Sequence, residues 1–188
     1  TQKQIDDFAL YYTETCPFDK GIKIQGADIT NLDGLSGLDG VGVLVIADNP
    51  VLTNISGLSA LNTVGTSMQI YGNASLGNLN GLSGLISVGT NVLISRNPAL
   101  TDLSGLSLLT SVGGQLNISR NTSLSDCAIE LICNETIVQG NTQIYGNTGN
   151  CFDLATAGSA CSLEPQERPF ITTWKTDNPG SSEDNQIT

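Results

Sequence analysis

Apolar residues recur along most of this chain with a step that neither a lone helix nor a hairpin produces. Ile46, Ile70, Ile94 and Ile118 fall 24 residues apart, each preceded two positions earlier by Leu44, Met68, Val92 or Leu116. Asn49, Asn73, Asn97 and Asn121 keep that step, as do Leu52, Leu76, Leu100 and Leu124. The second half of each unit repeats too: Leu58, Leu82 and Leu106 follow a glycine, and Val64, Val88 and Val112 precede one. A shorter first unit runs from Ile22 to Gly42, and the motif returns at Gln143-Ile144-Tyr145-Gly146-Asn147, 26 residues after its predecessor. Self-similarity at such a period marks a repeat architecture.

Each unit has a physical reading. Leu-x-Ile alternates with period two and predicts a short strand with one face inward. The Asn that follows ends the strand. Asn49, Asn73, Asn97, Asn121 and Asn147 are predicted to form an inward ladder that satisfies backbone groups in its own turn and the next unit. The later Leu, Ile and Val positions are spaced by three, which suits tight turns or short 3₁₀ pieces. Gly34, Gly57, Gly81 and Gly105, with Gly42, Gly65, Gly89 and Gly113, predict corners of positive φ or close backbone approach. One unit cannot bury its apolar face alone, whereas stacked units share a core. The predicted fold is therefore mainly β, a right-handed parallel β-solenoid of coils of about 24 residues.

The ends need sealing. Residues 1–20 are read as an N-terminal capping helix, because Ile5, Phe8, Ala9 and Tyr12 share one helical face. Residues 21–124 are the coils, and 125–163 hold the last coil and a Cys-rich cap. Within it SDCAIELICN predicts a helix N-capped by Ser125 or Asp126. Cys127, Cys133, Cys151 and Cys161 read as a disulfide-stapled cap in an oxidising compartment rather than a zinc site, since there is no His and no paired C-x-x-C. On a helix Cys127 and Cys133 would lie about 9 Å apart, so each is expected to pair with Cys151 or Cys161, in either order. Cys16 is expected to be a buried thiol at the far end, or else an intermolecular link.

Composition narrows the uses. A net charge of −11 with no His offers no basic stripe for nucleic acid and none for anionic lipid. No run of 18 apolar residues exists, so direct membrane insertion is not expected. The opening TQKQIDDF reads as a mature terminus left by signal removal, and the expected localisation is secreted or cell surface.

The pattern L-x-I-x-x-N-x-x-L-x-x-L-x-G-L-x-x-L-x-x-V-G resembles the receptor L-domain branch of leucine-rich repeats, with LVIADNPVLTNISGLSALNTVG and VLISRNPALTDLSGLSLLTSVG as its clearest copies. The Asn-x-x-Leu step, as in Asn49 to Leu52, departs from the Asn-x-Leu of ordinary leucine-rich repeats. With IDDFALYYTETCP at the start and SDCAIELIC…GNTGNC…AC at the end, the chain looks most like surface proteins of the Bacteroidetes and flavobacteria. The resemblance covers roughly residues 2–163 and implies adhesion or ligand binding. The ligand-contacting residues of animal growth-factor receptors do not map onto these coils. Residues 164–188 break the repeat and are read as a linker or as the start of a following surface domain, FITTWKT alternating like a strand. That reading makes the chain part of a larger surface protein.

No catalytic constellation emerges, so an enzyme is not expected. Without His the common nucleophile–base pairs are missing. Ser36, Ser59, Ser83 and Ser107 sit one per coil and read as turn-capping hydroxyls. A carboxylate pair or a calcium site among Asp28, Asp33, Asp39, Asp48, Asp102 and Asp126 lacks any recognisable signature. No cofactor and no metal is expected. Sequons at Asn73 and Asn121 fall in the inward ladder and should stay unmodified. Alternation sends Val45, Gln69, Leu93, Asn117 and Gln143 outward in one column, with Ala47, Tyr71, Ser95, Ser119 and Tyr145 in the next. Arg96 and Arg120 stand beside them near the turn. These residues predict a sheet face that binds an extracellular protein or glycan. A structural spacer is the alternative, and ice binding is disfavoured because the columns are mixed rather than repeated Thr.

Overall fold

The computed structural model describes residues 1–7 and 21–161. Phe8, Ala9, Tyr12, Cys16 and the segment 164–188 therefore lie outside the described residues. The fold is mainly parallel β. Strands β1 (Gly21–Ile24), β3 (Val43–Ala47), β5 (Met68–Tyr71), β7 (Val92–Ser95), β9 (Leu116–Ser119) and β10 (Thr142–Tyr145) form a six-stranded sheet in chain order. Strands β2 (Gly40–Val41), β4 (Thr63–Val64), β6 (Ser87–Val88) and β8 (Ser111–Val112) form a second, narrower parallel sheet. The first four units each pass through both sheets and make a 3₁₀ turn between them, at Asp33–Leu35, Ser56–Leu58, Asn80–Leu82 and Ser104–Leu106.

Register follows the apolar pattern. Ile24, Ile46, Ile70, Ile94, Ile118 and Ile144 lie opposite one another across the large sheet and are all buried. Their side chains join Leu52, Leu76, Leu100 and Leu124, the 3₁₀ leucines Leu58, Leu82 and Leu106, and Val64, Val88 and Val112 in one continuous core. Each such burial contributes roughly 1.5–3 kcal/mol. The spacing by three predicts the valines in turns. They are strand residues instead, because Gly65, Gly89 and Gly113 donate N–H bonds to Val41, Val64 and Val88 of the preceding unit at 2.8–3.0 Å. Two extended residues are too few to show a period of two.

The glycines of the 3₁₀ turns solve a packing problem rather than a dihedral one. A Cβ on Gly81 would overlap the Ile55 carbonyl of the preceding unit, and Gly105 meets Leu79 in the same way. At the N-terminal end helix α1 (Gln2–Asp6) takes the place of a preceding unit: Gly34 abuts the Ile5 carbonyl, and Ile5 is buried. The Gln2 side chain accepts the Thr30 N–H at 2.7 Å, tying the helix to the first unit.

The C-terminal cap differs from expectation in one respect. Its first helix, α2 (Glu130–Cys133), begins after Ile129, not at Ser125 or Asp126. The Asp126 carboxylate accepts the Ala128 N–H at 3.0 Å, an Asx turn that holds the chain out of helix for one more turn. Cys127 thus precedes the helix while Cys133 ends it. Cys127 is joined to Cys151 and Cys133 to Cys161, each with Cα atoms 5.2 Å apart. The second bridge fastens α2 to helix α3 (Leu154–Cys161). Two such bonds suit an oxidising, extracellular compartment. No described helix is long and apolar enough to cross a membrane.

Candidate functional site

The large sheet has an inner face committed to the core and an outer face that is partly exposed among the described residues. Between strand and interior the chain must turn sharply, so that each Asn can point inward. The five asparagines are buried and bonded in series. In each step the backbone N–H and side-chain amide of one Asn donate to Oδ1 of the next: Asn49 to Asn73, Asn73 to Asn97, Asn97 to Asn121 and Asn121 to Asn147. The amides also donate to the carbonyls of Ile24, Ile46, Ile70, Ile94 and Ile118. The last, Asn147, donates in addition to the Cys151 carbonyl and closes the series inside the cap. Asn73 and Asn121 are inaccessible, which puts both sequons out of reach of modification in the folded chain.

The residue just before each Asn makes that sharp turn, in the left-handed region. It is Asp48 (φ 53°), Gly72 (φ 70°), Arg96 (φ 55°), Arg120 (φ 57°) and Gly146 (φ 68°) in successive units. The N–H groups of the first four donate to the carbonyls of Tyr71, Ser95, Ser119 and Tyr145, which fixes the conformation whatever the side chain. Glycine adopts it without strain and Asp tolerates it, whereas Arg has no local reason to be there.

Two outward columns flank this corner. One runs Lys23, Val45, Gln69, Leu93, Asn117, Gln143 and the other Ala47, Tyr71, Ser95, Ser119, Tyr145. Exposure along them is uneven. The first column is partly exposed at Val45, Gln69, Leu93 and Asn117, and open at Lys23 and Gln143. In the second, Ala47, Ser95 and Ser119 are buried, contrary to the expectation that alternation alone exposes them. Small side chains between tyrosines are overhung: Ser119 lies opposite Tyr145 and donates to Asn117, two residues back on the same face, at 2.7 Å. Ser95 and Ser119 are therefore floor, and Tyr71, Tyr145, Asn117 and Gln143 are the reachable groups.

The arginines serve this face. The Arg96 guanidinium lies 5.7 Å from the centre of the Tyr71 ring, a cation–π contact. The Arg120 stem runs past Gly146, where an added Cβ would meet its Cγ at 3.4 Å. Hydrogen bonding from Ser119 and Asn117, helped by the Arg120 charge, holds the Tyr145 phenol below its ordinary pKa. Asn117 donates to Gln143 at 2.9 Å, so the amides are pre-aligned.

Other candidates resolve as structure. Asn31, Asn54, Asn78, Asp102 and Asp126 each accept the N–H two residues on at 2.8–3.1 Å, one Asx turn per unit. Sequence reasoning missed this second ladder because its residue changes from Asn in the first three units to Asp in the last two; the signal was the fixed offset of two residues before the four 3₁₀ turns. Asp28 accepts the Gln2 N–H at 3.1 Å and Asp33 the Ser56 hydroxyl at 3.2 Å. Ser36, Ser59, Ser83 and Ser107 follow the 3₁₀ turns, but their backbone N–H groups cap them and the side chains are exposed. Comparison with protein-family models, curated proteins and solved structures finds no match.

Proposed function

We propose that this protein is an extracellular recognition or adhesion module, built as a right-handed leucine-rich solenoid of the receptor L-domain kind, which binds protein or glycan through the outer face of its large sheet. One observation carries the reading: Arg96 and Arg120 occupy left-handed positions that Gly72 and Gly146 fill without strain in neighbouring units. A non-glycine residue in that region costs about 1–2 kcal/mol, and such strain is retained where the side chain is used. Both arginines border the reachable tyrosines and amides, on a rigid sheet that needs no ordering on binding. The reading includes no catalytic role.

The test is a glycan and surface-protein array probed with the chain and with the Arg96→Gly/Arg120→Gly variant. Glycine suits the backbone there, so the variant keeps or gains stability. Binding that the variant loses supports recognition through this face. Binding that it keeps moves recognition off this face, and a chain that binds nothing favours a spacer; either outcome sinks the reading.

A further inference from the structure

The distribution of charge over the described residues is uneven in a way that bears on the ligand. They carry four basic side chains. Lys3 is paired with Asp7. The other three, Lys23, Arg96 and Arg120, all stand on the outer sheet face or its corner, and none forms a salt bridge among the described residues. The two outward columns contain no Asp or Glu, in a chain with 18 acidic and 7 basic residues. Two described carboxylates that border this face are engaged or distant. Asp153, bridged to Tyr145 through backbone, turns its carboxylate to the Thr156 N–H at 2.8 Å. Asp48 is two strands from Arg96, about 10 Å, where screening at physiological salt is substantial. Among the described residues, then, the outward columns hold no acid and two guanidinium groups stand beside them without a salt bridge.

We propose that this corner binds an acidic saccharide, a uronate-bearing chain laid across the strands. Resting on the recognition reading above, the assignment gives each group a role. Arg96 and Arg120 take carboxylates, for which the guanidinium fork is shaped. Tyr145, 44% exposed, offers a ring for the apolar face of a sugar. Asn117 and Gln143 present amides to hydroxyls. Tyr71 and Tyr145 are three strands apart, roughly 14 Å, a span that suits an extended oligosaccharide better than a small anion. An acidic peptide is the less apt ligand, because β7 and β9, which lead into the two arginines, are paired on both sides and leave ring and amide surfaces rather than backbone groups to bond.

The experiment is calorimetric titration of the whole chain with oligogalacturonate, alginate and hyaluronan oligosaccharides, each beside its methyl-esterified form, and with poly-L-glutamate. The expected result is binding to at least one uronate chain that weakens about ten-fold or more on esterification and again in Arg96→Gln and in Arg120→Gln, the loss of one charge-assisted bond each. Thermal melts of both variants separate lost binding from lost fold. Equal binding of the esterified chains, equal binding of poly-L-glutamate, unchanged affinity in both well-folded variants, or no uronate binding at all would each overturn the assignment. If the array shows arginine-dependent binding to a neutral glycan or a protein while every uronate fails, the recognition reading stands and only the acidic ligand falls. If the array is blank as well, both fall.

Discussion

At Asn97 four hydrogen bonds meet on one side chain. Its amide donates to Ile70 and Asn121, and its Oδ1 accepts both the N–H and the amide of Asn73. Asn97→Ala strands those groups in the core, and denaturant unfolding should show a loss of roughly 3–5 kcal/mol. Asn97→Asp should cost no less, although it leaves no cavity, because it sets an acceptor against the Ile70 carbonyl and buries a charge. Glycines give a contrast of sign. Gly81→Ala drives a methyl into the Ile55 carbonyl and should destabilise by about 2 kcal/mol or more, while Gly158→Ala enters open space within α3 and should stabilise by about 0.5–1 kcal/mol. A step of 24 residues is enough to line up the asparagines from the sequence. It does not disclose that Ser95 and Ser119 are covered, since alternation assigns a face and the size of the neighbour in register decides the exposure.

Among the elements, the C-terminal cap is held by covalent and electrostatic means that respond to solution conditions. Cys127 and Cys151 are fully buried while Cys133 and Cys161 are partly exposed. Mild reductant with alkylation and mass mapping should therefore open Cys133–Cys161 first, freeing α3 before the core is touched, and complete reduction should cost about 2–4 kcal/mol per bridge. The start of α3 depends on Asp153, whose carboxylate lies below its ordinary pKa because the Thr156 hydroxyl and N–H bond its charged form. The stabilisation is present in full above the ordinary carboxylate range and fades as pH falls below it through the lower folded value. Amide exchange at Thr156 should accelerate across that acid window beyond its intrinsic pH dependence, and Asp153→Asn should remove the extra acceleration. The large sheet was legible element by element from Leu-x-Ile. The narrow sheet was not, because strands of two residues carry no periodicity, and α2 began late because an Asx turn outcompeted the expected N-cap.

On the scale of the molecule, each unit lends hydrogen bonds to its immediate neighbours alone: β3 pairs with β1 and β5, β7 with β5 and β9, and every Asn with the next Asn. Stability should then be a sum of unit terms and neighbour terms, and a whole unit should be removable. Deleting residues 67–90 joins Thr66 to Asn91, brings β3 against β7 and offers Asn97 to Asn49, with Ile46 facing Ile94 as it formerly faced Ile70. That protein should unfold in one transition, with an m-value reduced in proportion to the chain removed. Deleting residues 67–89 instead keeps Thr90 as one extra loop residue, and because the native steps of 22 residues (Ile24 to Ile46) and 26 (Ile118 to Ile144) already hold the same register, it should also unfold cooperatively, within about 1 kcal/mol of the 67–90 deletion. The same arithmetic governs the proposed binding corner. Arg96 and Arg120 are neighbours across the sheet because one unit separates them, and the clearing of acid from that face becomes visible only once the register assigns every column. Either deletion removes Tyr71 and its cation–π partnership with Arg96 while leaving both arginines in the chain. A cooperative 67–90 deletion that keeps uronate affinity to within a few fold would place recognition on Arg120, Asn117, Gln143 and Tyr145; a larger loss would make Tyr71 part of the site.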